Sequence, residues 1–347
     1  MFMPRSGLES LKPYSVEEIN WSIRLDANER PTDLPPAVKA KVVEKLRSLP
    51  FNRYPEISAQ SLKTVIADEF GLTASNVLIG NGSSEILEAL CYAFGGAGRS
   101  IVYPSPSFSM YGIYAKLADS QPIPVGLNDD YTLDADKLLA AANQAAASVV
   151  LLCNPNNPTG IVMPPEQVEY IVANTKSLVV VDEAYHEFYG KTSVDLLSKY
   201  PHVAIARTFS KAYGLAAARV GYLLANETIV STIGKVLLPY NVNALTLITA
   251  ETVFGMRQEF ANSLAENSSE RERMTAALSA ISGLTVYPSQ TNFLLVKSDN
   301  AAALAARLST RGIGVRDFST APGLTGCIRL GIGTPAENDA VLEAVTA

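Results

Sequence analysis

The sequence has few of the residues that build metal sites or disulfide frameworks. It contains only two histidines, His186 and His202, and three cysteines that lie far apart in apolar segments. Because it has no CxxC pair and no histidine cluster, we expect no metal ion. Cys91, Cys153 and Cys327 predict buried, reduced thiols and therefore a cytoplasmic protein.

Long apolar and basic segments are also missing. No apolar run approaches the ~18 residues of a membrane-spanning helix, and the opening residues MFMPRSGLES lack the apolar core of a signal peptide. We therefore expect no membrane partner. The net charge is −6, without a basic patch, which argues against nucleic acid as a partner. Repeats and low-complexity segments are absent as well.

What the sequence does contain is sufficient apolar residues for a large core. Of its 347 residues 48% are apolar and only 18% are charged, which excludes a mostly disordered chain. This length exceeds the size at which one hydrophobic core keeps growing. Two domains are therefore expected.

Short apolar segments alternate with helical patterns along most of the chain. Predicted strands lie at 77–82, 100–106, 148–155, 177–185, 202–210 and 220–225. Strands that are apolar throughout are typical of a parallel sheet buried on both faces. Helices are predicted between them, for example at 83–94 and 164–175.

The pattern changes after residue 255. A polar helical segment at 258–281 is followed by a small strand–helix–strand–strand unit. We predict an N-terminal arm (1–35) that packs on the small domain and on a partner, a large domain (36–255) and a small C-terminal domain (256–347). The fold class is α/β, with a mostly parallel central sheet sandwiched by helices and a smaller α/β domain.

Polar residues follow five of the predicted strands. In open α/β sheets, ligands bind beyond the carboxyl ends of the strands. These residues could therefore face one cavity: Asn81 to Glu85, Ser105 to Phe108, Asn157, Asp182 with Tyr185, and Thr208 to Lys211.

Each of these signals has a structural alternative. The GNGSSE turn suits an anion at a helix N-terminus, but it could equally be an N-cap without a ligand; it matches neither a Rossmann nor a Walker loop. Asp182, directly after three valines, would be costly to bury without a partner, yet it could cap the next loop. Asn157 could be a turn residue, and most lysines, like Lys211, would simply be solvated.

Taken together, the groups suit one molecule. A phosphate needs a helix N-terminus and hydroxyls, a pyridine nitrogen needs an acid, a phenolic oxygen needs donors and an aldehyde needs a lysine. Pyridoxal phosphate (PLP) has all four features.

Motifs along nearly the whole chain carry a resemblance to a known family. The chain resembles the fold-type-I PLP-dependent aminotransferases, and among them the histidinol-phosphate aminotransferase family. Single motifs are weakly specific, but their shared order is very specific: RLDANERP, NRYPE, GNGSSEI, PSPSFSMY, CNPNNPTG, VVVDEAYHEF, RTFSKAYGLAAARVGY, PYNVN, TNFLLV, GVRDF and CIRLGIGT.

The resemblance implies roles around the cofactor ring. Lys211 is similar to the lysine that forms the Schiff base with the cofactor. Asp182 matches the acid that pairs with the ring nitrogen, and Tyr185 and Asn157 match the donors to the phenolic oxygen. Lys211, Asp182 and Tyr185 are the predicted catalytic residues, while Phe108 takes the place of the aromatic residue stacked on the ring.

The resemblance also implies phosphate ligands and a homodimer. The residues predicted around the phosphate are Ser83, Ser84, Glu85, Thr208, Ser210 and Arg219. Ser84 stands where the family often has an acidic residue. Tyr54 looks like the tyrosine that reaches the cofactor of a neighbouring subunit, which implies a homodimer with shared active sites.

Substrate binding is predicted on the same basis. Arg329 resembles the arginine that holds the substrate's carboxylate, and Arg316, Tyr14 and Asn28 are further candidates. An arginine fork binds carboxylate and phosphate alike, so one pocket could accept both substrates. Arg30 stands where the family more often has asparagine, which leaves the substrate side chain open.

The reaction implied is a ping-pong amino transfer from a small amino donor to a 2-oxo acid. Histidinol phosphate and 2-oxoglutarate would give imidazole acetol phosphate and glutamate, in histidine biosynthesis. An aromatic amino acid aminotransferase on the same scaffold is the alternative, and a threonine-phosphate decarboxylase-like lyase is a further one. A PLP-fold regulator would need a DNA-binding appendage, for which the chain has no spare residues. A dinucleotide-dependent oxidoreductase would need the missing third glycine.

Overall fold

The structure is a computed structural model that describes residue 8, residue 11 and residues 19–346. Its strands are β1 (Ile23–Arg24), β2 (Val77–Gly80), β3 (Ser100–Ser105), β4 (Gln121–Gly126), β5 (Val149–Cys153), β6 (Leu178–Asp182), β7 (Val203–Thr208), β8 (Gly221–Ala225), β9 (Leu284–Val286), β10 (Phe293–Ser298), β11 (Ile313–Gly314), β12 (Arg316–Asp317) and β13 (Cys327–Gly331). Its α-helices are α1 (Pro36–Leu46), α2 (Gln60–Glu69), α3 (Gly82–Phe94), α4 (Met110–Leu117), α5 (Ala135–Gln144), α6 (Pro165–Ala173), α7 (His186–Tyr189), α8 (Glu227–Gly234), α9 (Ala244–Gly255), α10 (Ala261–Ser279), α11 (Ala301–Thr310) and α12 (Pro335–Thr346). Short 3₁₀ helices lie at Ala74–Asn76, Val194–Ser198 and Arg257–Phe260.

A seven-stranded sheet forms the centre of the molecule. Its strand order is β2-β8-β7-β6-β5-β3-β4. The pairs from β4 through β3, β5 and β6 to β7 are parallel, whereas β8 runs antiparallel to both of its neighbours. The mostly parallel sheet predicted from the sequence is therefore confirmed, and parallel strands bring their carboxyl ends to one edge.

Both faces of this sheet are buried, because successive side chains of a strand point to opposite faces. In β6, for example, Val179 and Val181 belong to one apolar cluster, whereas Leu178 and Val180 belong to the other. Helices that pack against each face complete the two clusters. This double burial explains why the strands read as continuous apolar runs.

One edge strand was not predicted from the sequence. β4 has the sequence QPIPVG, and its two prolines, Pro122 and Pro124, cannot donate ladder hydrogen bonds. Such a strand is tolerated at an edge, where one side has no neighbour to accept from it. Among the described strands it pairs with β3 alone.

The C-terminal part has a sheet and core of its own. Its four strands are antiparallel and lie in the order β12-β13-β10-β9. The first strand of the strand–helix–strand–strand unit predicted after residue 281 is two strands in the structure, β9 and β10, which pair with each other. Leu25 joins the apolar cluster of this part, and β1 pairs with β11, so the segment around residue 25 packs here. The domain boundaries at 35 and 255 remain predictions.

The described residues include neither a helix suited to span a membrane nor a side-chain cluster suited to hold a metal ion. None of the helices in that part of the chain is both long and apolar enough to cross a membrane. No group of three or more histidine, cysteine or acidic side chains within it could hold a metal ion.

Candidate active site

The carboxyl ends of β5, β6 and β7 border a cavity of about 670 Å³, and the start of α3 and strands β12 and β13 contribute to its walls. Most of the predicted site residues line this cavity. They are Asn28, Ser83, Ser84, Phe108, Asn157, Asp182, Tyr185, Thr208, Ser210, Lys211, Arg219, Arg316 and Arg329.

Three predicted residues are not among them. Glu85 lies in the first turn of α3 but accepts hydrogen bonds from the Asn81 amide at 2.6 Å and from Asn241 Nδ2 at 2.7 Å, so it fastens the turn and does not face the cavity. Tyr54 is 80% exposed and stacks on Tyr240 at 4.6 Å between ring centroids. Tyr14 lies outside the described residues.

Asp182 is the last residue of β6 and is only 4% exposed. Its Oδ2 accepts a hydrogen bond of 2.8 Å from the Tyr111 hydroxyl, and its Oδ1 accepts one of 3.2 Å from the Ala184 amide. Burial raises the pKa of Asp182 to about 6, against the opposing effect of both hydrogen bonds. At neutral pH the carboxylate is therefore mostly ionised and able to pair with a cationic ring nitrogen.

Two donors border the same cavity. The Tyr185 hydroxyl accepts from Asn28 Nδ2 at 2.9 Å, which leaves its own proton to donate elsewhere. Burial raises the pKa of Tyr185 to about 12, so it stays protonated. Asn157 Oδ1 accepts from Arg329 Nη1 at 2.6 Å, so the amide NH₂ remains as the donor of Asn157. Both groups suit an anionic oxygen.

Lys211 follows β7 and its Nζ donates a 2.8 Å hydrogen bond to the Ala27 carbonyl. Burial lowers the pKa of Lys211 to about 8, and the positive charges of Arg329 and Arg219 add to this effect. A larger fraction of the amine is therefore neutral near pH 7 than for an exposed lysine. A neutral amine can act as a nucleophile or a base.

The start of α3 forms a cradle for an anion. Gly82 has φ +80°, and a Cβ placed there would lie 2.6 Å from Arg219 Nη2, so any other residue would displace the guanidinium from this position. Arg219 itself has φ +51° and donates to Ser210 Oγ at 3.2 Å. Ser83 and Ser84 line the cavity at the N-terminus of this helix, where the free amides and the helix dipole attract negative charge.

Two arginines border the cavity from the C-terminal sheet. Arg316 on β12 and Arg329 on β13 are direct register partners. Arg329 Nη2 donates to the Asp26 carbonyl at 2.6 Å, and its guanidinium lies 5.3 Å from the Phe293 ring centroid. These contacts hold the guanidinium at the cavity wall, and a guanidinium is a group that binds carboxylate or phosphate.

A buried ion pair supports the loop after β6. Glu183, next to Asp182, accepts hydrogen bonds from Arg207 Nε at 3.0 Å and Nη2 at 2.8 Å. Thr192 and the Ser193 amide also donate to this carboxylate. Because Glu183 and Arg207 are almost fully buried, losing one partner would leave an uncompensated charge. The pair therefore fixes the direction in which the chain leaves Asp182.

Sequence reasoning missed several contacts of the site. Tyr111, which holds Asp182, stands in the PSPSFSMY motif three residues after Phe108, so its position in the motif was the available signal. Backbone carbonyls of Asp26 and Ala27 carry no side-chain signature. Arg30 does not line the cavity; its guanidinium lies 5.2 Å from the Phe260 ring centroid and donates to backbone carbonyls, so this departure from the family pattern lies outside the cavity wall.

Comparison with known proteins gives consistent matches over almost the whole chain. The profile of the family described as "Aminotransferase class I and II" matches residues 22–345. Histidinol-phosphate aminotransferase of Thermoanaerobacter pseudethanolicus is 40% identical over 343 residues, which cover 98% of this chain and 97% of that protein. The enzyme of the same name from Thermococcus kodakarensis is 41% identical over 343 residues, with 99% and 97% covered.

A solved structure agrees with these matches. Histidinol-phosphate aminotransferase from Sinorhizobium meliloti, in complex with pyridoxal-5'-phosphate, superposes with a TM-score of 0.89 at 27% sequence identity. The match covers 98% of this chain and 95% of that one.

Proposed function

The chain belongs to the class I and II aminotransferase family, and on that premise we propose that it transfers the amino group of histidinol phosphate to 2-oxoglutarate with PLP as its cofactor. The relatives that share about 40% of its sequence over nearly their full length carry the name of this activity. The observation that carries the proposal is the shared cavity, which brings Lys211, Asp182, Arg219 and Arg329 together.

The residues of the cavity fit PLP. The cradle formed by Gly82, Arg219 and the N-terminus of α3 suits its phosphate, since a Cβ at residue 82 would take up the space of the guanidinium. Asp182 would pair with the ring nitrogen, and Tyr185 and Asn157 would donate to the phenolic oxygen. When bound, PLP supplies an electron sink next to the substrate's α-carbon and carries the amino group between the two substrates.

The protein's own groups have defined tasks in this reaction. Lys211 Nζ, with its pKa lowered to about 8, would take the proton from the substrate's α-carbon and return it in the reverse half-reaction. The ionised Asp182 would keep the ring nitrogen protonated. Arg329 and Arg316 would hold the phosphate of one substrate and a carboxylate of the other, because guanidinium groups bind both.

We further propose a homodimer that shares its active sites. Exposed large apolar residues support this, since Phe51 is 79%, Tyr54 80% and Leu238 75% exposed, and Tyr54 stacks on Tyr240, two residues after Leu238. Such residues rarely stay in water as a group unless they form an interface. In the proposed dimer Tyr54 would donate to the cofactor phosphate of the neighbouring subunit. The three buried cysteines without disulfides support a cytoplasmic location.

A panel of amino donors tests the substrate. Purified protein loaded with PLP would be mixed with histidinol phosphate, phenylalanine or tyrosine in single-turnover experiments that follow the spectrum of the cofactor. We expect histidinol phosphate to react fastest, and 2-oxoglutarate then to restore the starting spectrum. Faster reaction with phenylalanine or tyrosine would assign an aromatic aminotransferase instead. Carbon dioxide release from threonine phosphate, added as a fourth compound without an acceptor, would assign a lyase.

A further inference from the structure

We propose that Tyr111 is a positioning residue of the cofactor site, which holds both Asp182 and Phe108 in the orientations that the ring requires. The inference rests on the proposed function, since that function places Asp182 at the ring nitrogen and Phe108 on the ring face. Tyr111 does not line the cavity, so it acts through these two residues.

The hydroxyl of Tyr111 orients the acid. Tyr111 lies in the first turn of α4, has no exposed surface and donates its hydrogen bond of 2.8 Å to Oδ2 of Asp182. The Ala184 amide holds the other oxygen at 3.2 Å. With one donor at each oxygen, the plane of the carboxylate is fixed. Without the Tyr111 hydroxyl, only the hydrogen bond from the Ala184 amide would restrict the rotation of the Asp182 carboxylate about χ2.

The ring of Tyr111 supports the aromatic residue. Phe108 meets it edge to face, with 5.5 Å between ring centroids and 87° between planes. Tyr103, which lines the cavity, contacts the same ring at 6.1 Å and 67°. Edge-to-face contacts of this kind have a preferred geometry and therefore restrict side-chain rotation. One buried side chain thus couples the predicted stacking residue to the predicted acid.

The surroundings of Asp182 make this hydrogen bond important for its charge. The titratable groups that face the carboxylate in the described part of the chain are Tyr114, Cys153, Glu183 and Tyr185, together with Tyr111 itself. None of these groups carries a positive charge. Hydrogen bonds, and no neighbouring cation, therefore offset the burial that raises the pKa of Asp182 to about 6.

The test is the dissociation constant of PLP as a function of pH, measured on the apoprotein. Tyr111→Phe keeps the ring and removes only the hydroxyl, so the fold is retained. We expect PLP to bind about tenfold more weakly at pH 7. The acidic limb of the binding curve, which is the pH range in which protonation of Asp182 weakens binding, should move upward by about one pH unit. Both effects follow because a charge-assisted hydrogen bond to the carboxylate is lost. A residue that only fills space would not shift this limb.

The matched control is Tyr222→Phe. Tyr222 is equally buried, at 1% exposed, does not line the cavity, and its hydroxyl accepts a hydrogen bond from the charged Arg207. That bond uses Nη1, whereas Arg207 holds Glu183 through Nε and Nη2, so the ion pair after β6 keeps its hydrogen bonds in this variant. We expect this variant, like Tyr111→Phe, to unfold at a lower temperature, because each loses a buried hydrogen bond. Its affinity for PLP and its acidic limb should match the wild type.

A second pair of variants tests whether Tyr111 affects PLP binding through Asp182. In an Asp182→Asn background the added Tyr111→Phe change should alter PLP affinity less than twofold, because no carboxylate remains to be held. An equal loss in both backgrounds would overturn the proposal, as would an unmoved acidic limb in Tyr111→Phe. If the wild type itself fails to bind PLP, the proposed function fails and this inference with it, whereas a normal wild type beside an unaltered Tyr111→Phe refutes this inference alone.

Discussion

Arg329 Nη1 and Asn157 Oδ1 are joined by a 2.6 Å hydrogen bond between β13 of the C-terminal sheet and the segment after β5 of the central sheet. One residue is the predicted substrate anchor and the other is a predicted donor to the cofactor. The bond turns the Asn157 amide so that its NH₂ group is the remaining donor. The predicted substrate anchor and the predicted cofactor donor are therefore joined through a single guanidinium.

Replacement of Arg329 is expected to damage both half-reactions. Arg329→Ala should lower kcat/KM for donor and acceptor by about 100- to 1,000-fold, since the predicted charge pair with the substrate's anionic group would be lost. Arg329→Lys should recover only part of this because lysine lacks the planar fork. Single-turnover kinetics with each substrate measure the effect. Arg311→Ala, an exposed residue away from the cavity, is the control. An effect on one substrate alone would exclude the shared anion site.

Gly82→Ala should weaken PLP binding about 10- to 100-fold, because the new Cβ would lie 2.6 Å from Arg219 Nη2 in addition to the strain of a positive φ. Equilibrium titration of the apoprotein with PLP gives the affinity. Gly71→Ala is matched for the backbone, with φ +63° and nothing within 4 Å of the added Cβ. It should lose stability but keep its affinity, and equal losses of affinity in the two variants would argue against the cradle.

Asp182→Asn is expected to stabilise the apoprotein while it impairs the enzyme. Folding raises the pKa of Asp182 from 3.8 to about 6. The protonated acid therefore stabilises the folded protein below pH 4, and this stabilisation is lost as the pH rises through 6. At pH 7 the ionised acid therefore opposes folding, and its removal should add about 1–3 kcal/mol to the free energy of unfolding. Urea denaturation at pH 4 and pH 7 measures this gain, which should vanish at the lower pH. A gain of the same size at both would contradict the assignment.

Much of the fold was predictable because its strands are buried on both faces. Such strands consist of apolar residues throughout, as in LVVV before Asp182. The polar residues at the strand ends likewise located the cavity. The contact of Tyr111 with Asp182 was not predictable from the pattern, since the two are 71 positions apart and a tyrosine in a helix looks like core. Strand β4 was not predicted because it contains two prolines, which are excluded from central strands but are tolerated in an edge strand.

Lys211→Ala should abolish multiple turnovers, with kcat lowered by at least about 1,000-fold, because the proton at the substrate's α-carbon loses its acceptor. The variant should also lose covalent attachment of PLP after borohydride reduction, which peptide mass spectrometry would detect on Lys211 in the wild type. Lys235→Ala, at an exposed lysine, should behave as the wild type in both assays. Turnover near the wild-type rate in Lys211→Ala, or attachment to another lysine, would refute its role.

A mixing experiment tests whether Tyr54 serves the neighbouring subunit. Tyr54 lies outside the cavity of its own chain and is 80% exposed. If it completes the partner's site, a hybrid of Lys211→Ala and Tyr54→Ala chains contains one site with both wild-type residues and one with neither. After dissociation and reassociation in equal amounts, half of the dimers are hybrids, so activity should recover to about a quarter of the wild type.

The same mixture distinguishes the alternative. If Tyr54 acted within its own chain, each site of a hybrid would keep one defect. The activity of the mixture would then be no higher than the mean activity of the two separate variants. Tyr92→Ala, at another exposed tyrosine outside the cavity, replaces Tyr54→Ala as the control and should be active before mixing. Sedimentation of the Tyr54→Ala chain confirms that it still forms dimers, because loss of assembly would also remove activity. Recovery above the mean therefore requires that Tyr54 crosses the interface.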